Sequence, residues 1–147
     1  MLAGCSYLTN FVVINATDRP IEIQYVIKQP GDSSPPFSVT QTLPITPAIK
    51  SVLQLGQQTE WRELSAAQYT FDPDNRRVGV SLMPNEALRI DKQNLVDGKV
   101  DDASLAAKFS IEEINIMGGY GEIKLQGEQV RKMFVAESRK LYTLTYK

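Results

Sequence analysis

The stretch Phe11 to Lys28, FVVINATDRPIEIQYVIK, constrains the fold more than any other part of the chain. Ile21, Ile23, Tyr25 and Ile27 alternate with Glu22, Gln24 and Lys28. A period of two puts those apolar side chains on one face of a strand, with Val26 on the other. Before it, Phe11-Val12-Val13-Ile14 is an unbroken aromatic and β-branched run, suited to a strand covered on both faces. Asn15 to Pro20 between them is turn chemistry, and Pro20 can open the second strand without losing a ladder hydrogen bond. The expectation is a hairpin that the rest of the chain pairs with and covers. Asn15-Ala16-Thr17 has the form of a glycosylation sequon and is read as part of the turn.

The same alternation recurs downstream. Ile49, Leu53 and Leu55 fit a strand before Gly56, and Phe37, Val39 and Leu43 fit a short edge strand beyond the Pro30–Pro36 loop. Tyr69 and Phe71 precede a strong turn at Asp72-Pro73-Asp74-Asn75. Val78, Val80 and Leu82, then Leu88 and Ile90, read as neighbouring antiparallel strands joined at Met83–Glu86. Trp61 to Ala67 is ambiguous between a helical turn and a strand, and Asp91 to Leu105 reads as a long acidic loop. Phe109 and Ile111 have one parity, Ile114 and Ile116 the other, which a β-bulge at Glu112-Glu113 repairs. Gly118-Gly119-Tyr120-Gly121 supplies a hairpin turn leading to Ile123 and Leu125. Val130, Met133 and Phe134 have helical spacing, and Tyr142, Leu144 and Tyr146 close the chain as a strand. These readings add up to an all-β protein, an antiparallel β-sandwich of Ig-like type. It has roughly eight or nine strands and one short helix near residues 128–134. Residues 1–10 read as an N-terminal tether and residues 11–147 as a single domain.

Composition narrows the chemistry. A net charge of −1 gives no electrostatic basis for nucleic acid as a partner. The sequence has no histidine, so the commonest neutral-pH base and metal ligand is missing, and one cysteine cannot form an internal disulfide. The glycine cluster at 118–121 is followed by a strand, whereas a phosphate cradle needs a helix after it. Asp91, Asn94, Asp97 and Asp101 do not follow the calcium-loop pattern. Glu112 and Glu113 are adjacent on a strand, so they do not face each other as glycosidase carboxylates must. Ser138 near Lys140 lacks the spacing of a serine–lysine catalyst. The expectation is therefore a non-enzymatic chain with no cofactor and no metal. Trp61 and Tyr120 are the candidate partner contacts, with Tyr120 at a hairpin tip the more exposed.

Leu2-Ala3-Gly4-Cys5 resembles the lipobox of bacterial lipoproteins. The resemblance covers four residues, and it implies that Cys5 carries the lipid and becomes the mature N-terminus. It further implies that the charged and apolar parts of such a signal lie upstream of Met1. Ser6 after the cysteine is compatible in that family with sorting to the outer membrane. On this reading the protein faces the periplasm of the bacterial envelope, held to the membrane through Cys5. It works as an accessory or adaptor for another envelope protein. The alternative is a sandwich that binds a small ligand or carbohydrate through exposed aromatics.

Overall fold

A computed structural model describes residues 6–28, 46–57, 60–96, 109–138 and 140–147. Cys5, the Pro30–Pro36 loop, the expected edge strand at 37–43 and residues 97–108 lie outside the described residues. The strands are β1 (Ser6–Asn15), β2 (Ile21–Ile27), β3 (Ala48–Ser51), β4 (Arg62–Glu63), β5 (Tyr69–Asp72) and β6 (Arg77–Leu82). They continue with β7 (Glu86–Val96), β8 (Ile111–Gly118), β9 (Gly121–Gln126), β10 (Val135–Ser138) and β11 (Leu141–Tyr146). One short helix, α1 (Glu128–Lys132), lies between β9 and β10. The first sheet runs β10-β11-β1-β7-β3-β4 and the second β5-β6-β2-β8-β9. Every pairing is antiparallel except that of β1 with β11. The result is an all-β sandwich, compatible with the Ig-like arrangement expected.

The inward face of β2 is as the alternation predicts: Ile21, Ile23, Tyr25 and Ile27 are all in the inter-sheet core. β1 is covered on both sides, with Phe11 and Val13 in that core and Val12 and Ile14 in a second cluster on the outer face of the first sheet. The expected bulge is present. Val26 pairs with Glu113 and Ile27 with Ile111, leaving Glu112 as the extra residue. The Gly118–Gly121 hairpin and the helix are also present, although Met133 points outward while Val130 and Phe134 are buried.

Four expectations need correction. β1 and β2 are not a hairpin: β1 pairs with β7 and β11, β2 with β6 and β8. The turn at 16–20 instead carries the chain from one sheet to the other, because both faces of β1 are apolar and it is an interior strand. Likewise β6 and β7 belong to different sheets, and Asn85, at φ 62°, turns the chain between them. Leu53 and Leu55 are not in a strand: β3 ends at Ser51, whose hydroxyl caps a single 3-10 turn and leaves Leu53 exposed. Asp91 opens no loop, since β7 runs on to Val96 and pairs with β1 from Asn10 back to Ser6. Among the described residues strand structure is thus present from Ser6, five positions before the apolar run.

The pairings give the sandwich two ends. Ser6, Ile27, Ile111 and Leu141 mark the near end, and Asn15, Leu82, Gly118 and Tyr146 the far end. The near end is plugged by aromatics. Phe11 stacks on Tyr142 at 5.1 Å between ring centres and meets Phe109 and Phe134 edge-on at 4.9 and 5.8 Å.

Candidate functional site

Trp61 and Tyr120 are not brought together; each belongs to its own cluster. Trp61 stands half-buried on the outer face of the first sheet. There β3 and β7 pair Ala48 with Arg89 and Lys50 with Ala87, so Lys50 and Arg89 are diagonal neighbours on one face. Trp61 covers them: Lys50 Nζ lies 5.4 Å and the Arg89 guanidinium carbon 5.6 Å from its ring centre. Both cations are nearly removed from water, at 8% and 6% exposure. Lys50 donates one hydrogen bond, to Gln57 O at 3.1 Å, and the buried Arg89 Nε has no hydrogen-bond partner. Burial holds the pKa of each below its ordinary value, an effect that the charge of Glu63 partly offsets for Arg89. A separate cleft of about 230 Å³ is lined by Ile49, Lys50, Ser51, Gln54, Glu60, Arg62 and Glu86, and neither Trp61 nor Arg89 contributes to it.

Tyr120 sits at the far end, 63% exposed, on the turn between β8 and β9. Its hydroxyl donates to Asp18 Oδ1 at 3.1 Å, which holds the phenol pKa above its ordinary value. Its backbone N–H donates to the Tyr146 hydroxyl at 3.1 Å, and that hydroxyl donates to Gly121 O at 2.8 Å. Gly118 makes room for this: a Cβ there would lie 2.7 Å from the Tyr146 hydroxyl oxygen and 2.8 Å from Ile21. The neighbouring loop is fastened by Asn15, whose amide donates to Arg19 O and Leu82 O while its Oδ1 accepts from the N–H and hydroxyl of Thr17. The sequon side chain is therefore fully buried and committed to the turn. Around this latched end Leu53, Met83 and Met117 are exposed with Tyr120.

The near end holds a buried carboxylate. A bulge at Ile90 pairs Asp91 with Phe11 and so turns Asp91 toward the core. Asp91 accepts from the N–H and hydroxyl of Ser110 at 3.0 and 3.1 Å, from Gln93 Nε2 at 3.3 Å and from the Lys92 N–H. Burial raises its pKa in spite of those bonds, and burial first, then the Asp91 charge, raises that of Tyr25. An open cleft of about 640 Å³ outside the second sheet is lined by Val26, Asn75, Arg76, Arg77, Glu112, Glu113, Gln126 and Gly127. In it Glu112 is paired with Arg76 at 3.4 Å. Ser138 Oγ accepts from the Lys140 N–H at 3.2 Å, which is turn chemistry. Among the described residues no three potential metal ligands converge.

Compared with protein-family models, curated proteins and solved structures, the chain matches none. Nothing in the residue pattern singles out Lys50 and Arg89 as partners of Trp61. Their alternation with Ile49, Leu88 and Ile90 places them on the face away from the core, and such residues ordinarily face solvent.

Proposed function

We propose that this chain is a non-enzymatic lipoprotein of the bacterial envelope, tethered through Cys5 and facing the periplasm, and that it binds another envelope protein with its far end. One observation carries the reading. β1 opens at Ser6, the residue after Cys5. Of the seven large apolar residues exposed among the described residues, three are Leu8, Met133 and Val135, and the other four, Leu53, Met83, Met117 and Tyr120, stand at the opposite end. A lipid on Cys5 would put the near end against the membrane and direct those side chains away from it. Several acyl chains on one cysteine hold a protein to a bilayer stably, where one chain does so only marginally. The latched loops would then act as a rigid support for exposed apolar contacts, the usual arrangement in binding sites carried on loops. A binding role also agrees with the state of the perturbed acids: Asp91 and Tyr25 are buried in the core, and Asp72 and Tyr120 are each held by a neighbouring side chain.

The test is mass spectrometry of Cys5 after expression in a bacterial host with its own upstream coding sequence. Lipid mass on Cys5, with release from the membrane fraction in Cys5→Ser, is the expected result. An unmodified Cys5 refutes the anchor.

A further inference from the structure

Among the described residues the outermost strands are β10 and β4 in the first sheet and β5 and β9 in the second. β4 has two residues, β10 is interrupted by a register shift between Ala136 and Ser138, and β5 stops after four residues, before Pro73. Short, bulged or proline-ended edges resist the addition of a further strand. β9 has none of these features: it is six residues long and keeps one register throughout.

The ladder with β8 decides which way the main chain of β9 points. Gly127 N–H donates to Glu112 O at 2.9 Å, and the same register pairs Ile114 with Leu125, Ile116 with Ile123 and Gly118 with Gly121. Those alternate rungs are the hydrogen-bonded pairs, so the N–H and C=O groups of Glu122, Lys124 and Gln126 point away from β8. Among the described residues nothing bonds to them. Leu125 and Ile123 pack on the core, while Glu122 and Lys124 are exposed on the outer face as an ion pair of 3.4 Å. A lysine on an edge ordinarily repels an incoming strand. Here a glutamate two positions before it makes the edge complementary to itself.

We propose that two copies of this chain pair through β9, antiparallel and centred on Ile123. In that register Ile123 faces its own symmetry mate, and Glu122 faces the partner's Lys124. Both residues of that pair have outward main-chain groups, so they exchange two hydrogen bonds, and their opposite charges lie on one face. With the ion pair inside each strand, the charges alternate in sign around a square. Centring the pair on Glu122 or on Lys124 instead sets like charges directly opposite, which is destabilising. The two-fold axis uses up both β9 edges, so assembly through them closes at a dimer. The proposal goes beyond the anchored-adaptor reading and does not rest on it. An antiparallel pair turns the two Ser6 ends in opposite directions, so the dimer belongs to chains not held at Cys5 in one bilayer.

The test is sedimentation equilibrium of the full, unlipidated chain up to about 1 mM, with reductant present so that Cys5 cannot join copies. A reversible monomer–dimer equilibrium is expected. Glu122→Lys sets like charges opposite each other in both pairs and should weaken the dimer at least about tenfold. Adding Lys124→Glu to it restores the alternation and should recover the affinity to within about threefold. Both side chains are exposed, so the variants keep the fold. A monomer at every concentration, a dimer indifferent to Glu122→Lys, or no recovery in the double variant overturns the proposal.

Discussion

Two buried tyrosines distinguish the ends of the sandwich. Tyr146, at the far end, is 3% exposed, and its hydroxyl both accepts a hydrogen bond, from the Tyr120 N–H, and donates one, to Gly121 O. Tyr25, toward the near end, is 1% exposed, and its hydroxyl has no partner. Asn10 Oδ1 and Gln93 Oε1, from the same end, are also buried without one, whereas no far-end atom of Asn15, Thr17 or Tyr146 is in that condition. The far end is thus a satisfied polar network that fixes three loops in place. The near end carries polar groups that the fold tolerates because the apolar packing around them is extensive. Tyr120 therefore sits at the end where the buried side chains of Asn15, Thr17 and Tyr146 make their hydrogen bonds.

Asn15→Ala should break the far end most. It leaves Leu82 O and the Thr17 N–H without their partner, and a loss of about 3 kcal/mol is expected in denaturant unfolding. Phenylalanine at the two tyrosines gives the sharpest contrast. Tyr146→Phe strands the Tyr120 N–H and the Gly121 carbonyl and should cost about 2 kcal/mol. Tyr25→Phe removes a desolvated hydroxyl and should be neutral or stabilising by up to about 1 kcal/mol. Equal losses for the two would erase the distinction between the ends.

The smallest effect expected concerns pH. Asp91 has its pKa raised above 3.8 in the fold, so between those values the folded state binds the proton more tightly than the unfolded one. Stability from this group therefore rises as pH falls through that window. Asp72, held below 3.8 chiefly by the Asn75 side chain, works in the opposite sense, losing stability as pH falls. Comparing the wild type with Asp91→Asn cancels the Asp72 contribution. The melting temperature of the wild type relative to that variant should climb from about pH 7 to about pH 4. A flat difference would show that Asp91 keeps an ordinary pKa.

Much of this architecture is legible in the residues, and the missing part has a physical reason. Alternation specifies which face a side chain takes, so the inward row Ile21–Ile27, the bulge at Glu112 and the hairpin at Gly118–Gly121 follow from pattern alone. Alternation does not specify a partner, which is why β1–β2 and β6–β7 read as hairpins although each connection crosses between sheets. The polar half of β7 reads as loop because its partners, β1 and, for Asp91, Ser110, are distant in sequence. The site was legible as single residues only. Tyr120 stood out through its glycine turn, while the pairing of Trp61 with Lys50 and Arg89 depends on which strands are adjacent.

We propose that the end remote from Ser6 meets a protein partner. A photo-crosslinking residue placed at Tyr120 in intact bacterial cells, with the same residue at Gln24 on the outer face of the second sheet as reference, tests it directly. A discrete crosslink to an envelope protein from position 120, none from position 24, and loss of the product in Cys5→Ser are expected. Crosslinks of equal strength from both positions, or none from position 120, would contradict it.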